Sequence, residues 1–144
     1  MNKNNINFQA HRTKEGTIIE FICGLLLLLS FIFSFVVMSG SKQGGAGMLI
    51  QTGIMAFVIV LMLVLAYAPQ TFNIPDDSPA ELFIATIRFM RLAAVLMGLF
   101  SLGITLTTLF GSNPAILLSL FGTCFVPLMC WYFYVYFKVR RKKN

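Results

Sequence analysis

Charged side chains are scarce in this 144-residue chain, where Asp, Glu, Lys and Arg together make up 11% against about 25% in a soluble globular domain. An ordinary soluble domain is excluded. Histidine occurs once, at His11, and the three cysteines, Cys23, Cys124 and Cys130, include no Cys-x-x-Cys pair. A zinc-type centre needs three or four clustered ligands, so no metal or other cofactor is expected. No Gly-x-Ser-x-Gly elbow is present and no histidine lies within an apolar stretch, so a serine hydrolase lacks its parts. Cys124 and Cys130 stand six residues apart, about 240° round a helix from one another. The thiols therefore read as small packing residues and not as a redox pair.

What the chain has is apolar residues, 58% of the total, with a mean hydropathy of +0.82. They fall in four stretches, residues 18–38, 48–67, 92–110 and 115–137, each near the ~20 residues that cross a ~30 Å hydrocarbon core. Leu25 to Leu29 and Phe57 to Leu65 are apolar without interruption. That pattern excludes the alternation of a membrane barrel strand and marks a helix apolar on all faces. The first stretch exceeds the length of a signal-peptide core, and Val37-Met38-Ser39 is a poor cleavage site, so it is expected to persist as an anchor. The predicted fold is all-α: one domain over residues 1–144, with four transmembrane helices in two antiparallel hairpins.

Orientation follows from the basic residues. Ten of the eleven lie in the tail before the first helix, in the segment joining the second helix to the third, or after the fourth; Lys42 alone lies on the other side. The positive-inside rule then puts both termini in the cytoplasm of a cell or inner membrane. The polar pieces are a cytoplasmic tail at 1–16, a glycine-rich external loop at 39–47, a cytoplasmic loop at 68–81 and a basic cytoplasmic tail at 138–144. Gly111 is expected to end the third helix in the left-handed conformation, with Asn113 capping the fourth and Pro114 opening it.

In the cytoplasmic loop, Ser78-Pro79-Ala80-Glu81 matches a capping box, so the third helix should begin near Pro79. From there to Phe110 is longer than a bilayer requires. Its start is predicted either to extend into the cytoplasm or to bend near Arg91 and lie in the interface, the second being preferred. Leu82, Phe83, Ile84, Ile87 and Phe89 would otherwise be exposed to water. Asp76, Asp77 and Glu81 form the one carboxylate group, and their closeness to the cap assigns them to structure.

Three further signals concern packing and charge. Ala94, Gly98, Gly103, Thr107 and Gly111 on the third helix, and Ser30 with Ser34 on the first, give small-residue steps that let helices approach closely. Pro127 predicts a kink in the fourth helix. Trp131, Tyr132, Tyr134 and Tyr136 read as an aromatic belt at headgroup depth, followed by the Lys138 to Lys143 run that meets anionic headgroups. The basic pI of 9.6 thus reflects a juxtamembrane tail, and nucleic acid binding is not expected. Glu20, near the cytoplasmic end of the first helix, is the ionisable residue most open to a role, as a partner of Arg88 or Arg91 or as a proton-coupling group.

The run Tyr67-Ala-Pro69-Gln-Thr-Phe72-Asn73-Ile-Pro75, followed by Ile84-Ala-Thr-Ile-Arg88, resembles the Pro-x-x-Phe-Asn-x-Pro loop and Arg-bearing third helix of small bacterial inner-membrane proteins known as a domain of unknown function. That resemblance implies a four-helix protein of the bacterial cytoplasmic membrane and carries no catalytic residue. The expected function is non-enzymatic: an accessory subunit or small regulator, in a membrane complex or homo-oligomer, with Pro69, Phe72, Asn73, Pro75, Asp76 and Asp77 as the partner loop. The alternative is a small oligomeric proton-coupled transporter or exporter using Glu20.

Overall fold

The computed structural model describes residues 14–40, 45–67 and 80–143, all but the turn at 111–113 being α-helical. Among the described residues there are four helices, α1 (Lys14–Gly40), α2 (Gly45–Tyr67), α3 (Ala80–Phe110) and α4 (Pro114–Lys143). All four are long and apolar enough to cross a membrane. The partner loop, His11, Lys42 and the Ser78 cap lie outside the described residues. Of the segment expected as a loop at 39–47, residues 39–40 belong to α1 and 45–47 to α2; a Cβ at Gly45 would stand 2.6 Å from the Met38 backbone, so only glycine allows this approach.

α3 is the hub, packing against each of the other three helices, while α4 packs against α3 alone. The buried positions show why the first three helices fit together. On α1 they include Gly16, Cys23, Ser30 and Val37, and on α2 Gly45, Thr52, Ile59 and Ala66. On α3 two such series, Arg91-Gly98-Thr105 and Ala94-Ser101, share the face. A seven-residue repeat keeps one seam in register only if the helices coil gently around each other in a left-handed sense. Small residues dominate this seam: Leu26 and Ile59 close over Gly98. Ser34 and Thr52 share a hydrogen bond between α1 and α2 at 2.7 Å.

Only part of the anticipated small-residue series joins that seam. Ala94 and Gly98 do, but Gly103 instead faces Leu117 of α4, because five residues turn a helix through about 500°, or ~140° net. Ser30 and Ser34 are fully buried as expected, and each also bonds back to a carbonyl four residues earlier.

The α3–α4 contact is built differently. Phe100 packs on Phe121 at 4.4 Å between centroids, Phe121 stacks on Phe125, and Phe89 stacks on Tyr132 at 4.6 Å. Aromatic pairs of this geometry contribute about 0.5–1.5 kcal/mol beyond the area they bury. Further along, Leu82, Phe83 and Val139 form a cluster with Val135 and Tyr136 against it. The overlong start of α3 therefore needs no bend to hide its apolar residues. Leu82, Phe83 and Phe89 are covered by α4, which is equally long, and only Ile84 of the five is exposed. This corrects the interfacial preference: α3 is one unbroken helix from Ala80.

The turn between α3 and α4 follows local rules. Gly111 has φ of 64°, and its N–H and that of Ser112 donate to the carbonyls of Thr108 and Thr107. These are the two bonds of a Schellman ending. The Ala115 N–H then donates to Asn113 Oδ1 at 3.0 Å, capping α4 ahead of Pro114. Helical structure continues unbroken through Pro127. It continues also through the basic run, so Lys138 to Lys143 form the last turns of α4 and not a separate tail.

Candidate functional site

The ionisable residues that the sequence singles out converge where α1 and α3 begin and α2 and α4 end. Arg91 is buried, at 5% exposure, directly after Phe89 and Met90, which pack against Ala66. Its guanidinium fits because residue 16 has no side chain. A Cβ at Gly16 would lie 2.6 Å from the guanidinium carbon. The same group stands 5.8 Å from the centre of the Tyr67 ring, a cation–π distance. The Tyr67 hydroxyl donates to Glu20 Oε1.

One phenol thus links the anion of α1 to the cation of α3. Gly16 and Glu20 are four residues apart, so they share a face of α1, and Tyr67 closes the group from the last position of α2. Glu20, expected to pair with Arg88 or Arg91, bonds to Tyr67, whose ring lies beside the Arg91 guanidinium. Arg88 turns elsewhere: it is exposed, and with Glu15, Ile19, Arg91, Leu92, Leu128 and Trp131 it lines a cavity of about 340 Å³ between α1, α3 and α4. Tyr67 and Gly16 had not been singled out in the sequence. The signals were present, since Tyr67 ends a span on the side that carries Glu20, and Gly16 precedes Glu20 by one turn.

The arrangement joins three helices through polar groups, Glu20 of α1, Tyr67 of α2 and Arg91 of α3. The Glu20 carboxylate is engaged by Tyr67. Cys23 is buried beside Ile59 and Ala94 as a packing residue, whereas Cys124 and Cys130 are exposed on α4. Among the described residues no group of His, Cys, Asp and Glu is placed to hold a metal ion.

The aromatic belt also divides. Trp131 and Tyr134 face outward, while Tyr132 and Tyr136 turn in against α3, Tyr132 placing its hydroxyl 3.2 Å from Thr86 Oγ1. Tyr134, Phe137, Lys138, Arg141 and Lys142 share one face of α4, with Lys138 Nζ 5.8 Å from the Tyr134 ring centre. No protein-family model, curated protein or solved structure matches the chain.

Proposed function

We propose that this chain is a non-enzymatic, multi-pass protein of the bacterial cytoplasmic membrane, serving as an accessory subunit or small regulator in a membrane complex or homo-oligomer. The observation that carries the reading is the Glu20–Tyr67–Arg91 link. Glu20, the group on which a proton-coupled transporter would rely, and Arg91 are committed to joining α1, α2 and α3. The helices run as two antiparallel hairpins with both termini cytoplasmic, supported by the distribution of Lys and Arg and by the order of contacts. Glu20 meets Tyr67 while Ser34 meets Thr52, and Phe89 meets Tyr132 while Phe100 meets Phe121.

In this reading the basic face of α4, from Lys138 to Lys142, rests on anionic headgroups, each charge contributing about 1 kcal/mol. The segment with Pro69, Phe72, Asn73, Pro75, Asp76 and Asp77 is the partner contact, and its kinship is with the small inner-membrane proteins that share the Pro-x-x-Phe-Asn-x-Pro pattern. Affinity purification of the full chain in mild detergent is the test. A stoichiometric membrane-protein companion, or a homo-oligomer, supports the proposal; recovery of the chain alone as a monomer overturns it. Proton flux into liposomes that is abolished by Glu20→Gln would transfer the assignment to a proton-coupled transporter.

A further inference from the structure

The cavity between α1, α3 and α4 is graded from polar to apolar along the bundle. On α1 the lining residues are Glu15 and, one turn on, Ile19; on α3 they are Arg88 and, about one turn on, Arg91 and Leu92; on α4 they are Trp131 and, one turn deeper, Leu128. Gly16 beside Arg91, and Leu82 with Phe83 beside Val139, fix the starts of α1 and α3 and the finish of α4 at one end. On each wall a polar or amphipathic residue lies nearer that end and an aliphatic one lies deeper, Arg91 being the one charged group of the lining at the deeper level. Three helices contribute independently to the same gradient.

α1 and α4 both flank α3 without packing on each other, so the cavity opens sideways between them. Its volume of about 340 Å³ falls in the roughly 300–1,000 Å³ range of small-molecule sites. A tryptophan at its rim is the side chain favoured at headgroup depth. The charges narrow the ligand further. Arg91 is joined to Glu20 through Tyr67, which leaves Arg88 and Glu15, one cation and one anion. Both are exposed, and neither has an ion pair among the described residues.

We propose that this cleft binds an ethanolamine phospholipid, with the phosphate on Arg88, the ammonium on Glu15 and an acyl chain against Ile19, Leu92 and Leu128. A purely anionic headgroup would satisfy Arg88 and be repelled by Glu15, whereas a zwitterion with a hydrogen-bonding ammonium satisfies both. The proposal rests on the membrane placement given above. It adds a lipid-selective site at the α1–α4 opening, distinct from the basic face of α4.

Trp131 is the only tryptophan and lines the cleft, so it reports occupancy directly. The full chain is reconstituted in phosphatidylcholine vesicles holding a minor fraction of phosphatidylethanolamine or phosphatidylglycerol, brominated near the carbonyl end of the acyl chain. Brominated phosphatidylethanolamine is expected to quench Trp131 with a relative binding constant about fivefold above that of brominated phosphatidylglycerol, the ratio that one interfacial charge interaction supplies. Glu15→Gln should erase the preference by strengthening phosphatidylglycerol, and Arg88→Gln should weaken both lipids, with circular dichroism confirming the fold of each variant. Equal quenching of the wild-type chain by the two lipids overturns the site while leaving membrane placement intact. Quenching by neither overturns both.

Discussion

α3 presents two faces that solve the same packing problem by different means. Toward α1 and α2 it shows Ala94, Gly98, Ser101 and Thr105, residues so small that the backbones approach and hydroxyl groups are sealed in. Toward α4 it shows Phe89 and Phe100, which stack on rings. Lipid supplies no hydrophobic drive between helices, so association relies on close packing and on hydrogen bonds. The seam on the small-residue side uses both, Ser34 of α1 and Thr52 of α2 being hydrogen-bonded to each other beside α3. The aromatic face uses contact area, with one polar link between Thr86 and Tyr132. The first should tolerate volume changes poorly, and the second should depend on a few large side chains.

The difference can be broken most sharply at Gly98. Gly98→Leu should cost about 3 kcal/mol, the upper part of the overpacking range, because Leu26 Cδ1 already lies 3.1 Å from where a Cβ would be. Gly122→Leu on α4 adds the same volume where nothing lies within 4 Å, and it should be neutral or slightly stabilising. Steric-trapping measurements of both variants in bilayer discs compare them directly, and equal losses would refute the contrast.

Next in size is Arg91→Leu, which removes the cation over Tyr67 and empties the space beside Gly16. A loss of about 2 kcal/mol is expected, below the 3–5 kcal/mol of a broken deep pair because the site lies close to the bundle end. Arg88→Leu should leave the same stability measurement unchanged. Tyr132→Leu removes a stacked ring and should cost about 1 kcal/mol, read as easier detachment of α4 while α1, α2 and α3 stay associated by cysteine crosslinking. Smallest is Thr52→Val, which deletes the bond to Ser34 at similar volume and should cost about 0.6 kcal/mol.

How far the sequence reaches can be judged at particular residues. The Gly111 ending and the Asn113 cap were legible in full, because both depend on the conformational freedom of one residue and on one short-range bond. The four apolar helices were legible from length and composition. Which face meets which was not, since helices apolar all round carry little directional signal. Gly98 and Gly103 look alike in sequence yet serve different interfaces. Tyr67 became visible as the link between Glu20 and Arg91 only once three helix ends were brought together. Leu82 and Phe83 seemed to need lipid because nothing local announced that α4 would reach far enough to cover them.

The position of α3 as the shared wall also has a consequence for the order in which the protein is made. While only α1 and α2 have emerged from the ribosome, the third side of their seven-residue seam is missing, and the small and hydroxyl-bearing positions there lack the wall that will cover them. Completion waits for α3, and α4, tied to it by a turn of three residues at 111–113, arrives almost at once. Two separately synthesised halves, one ending after α2 and one beginning before α3, should find each other in the membrane and restore the bundle.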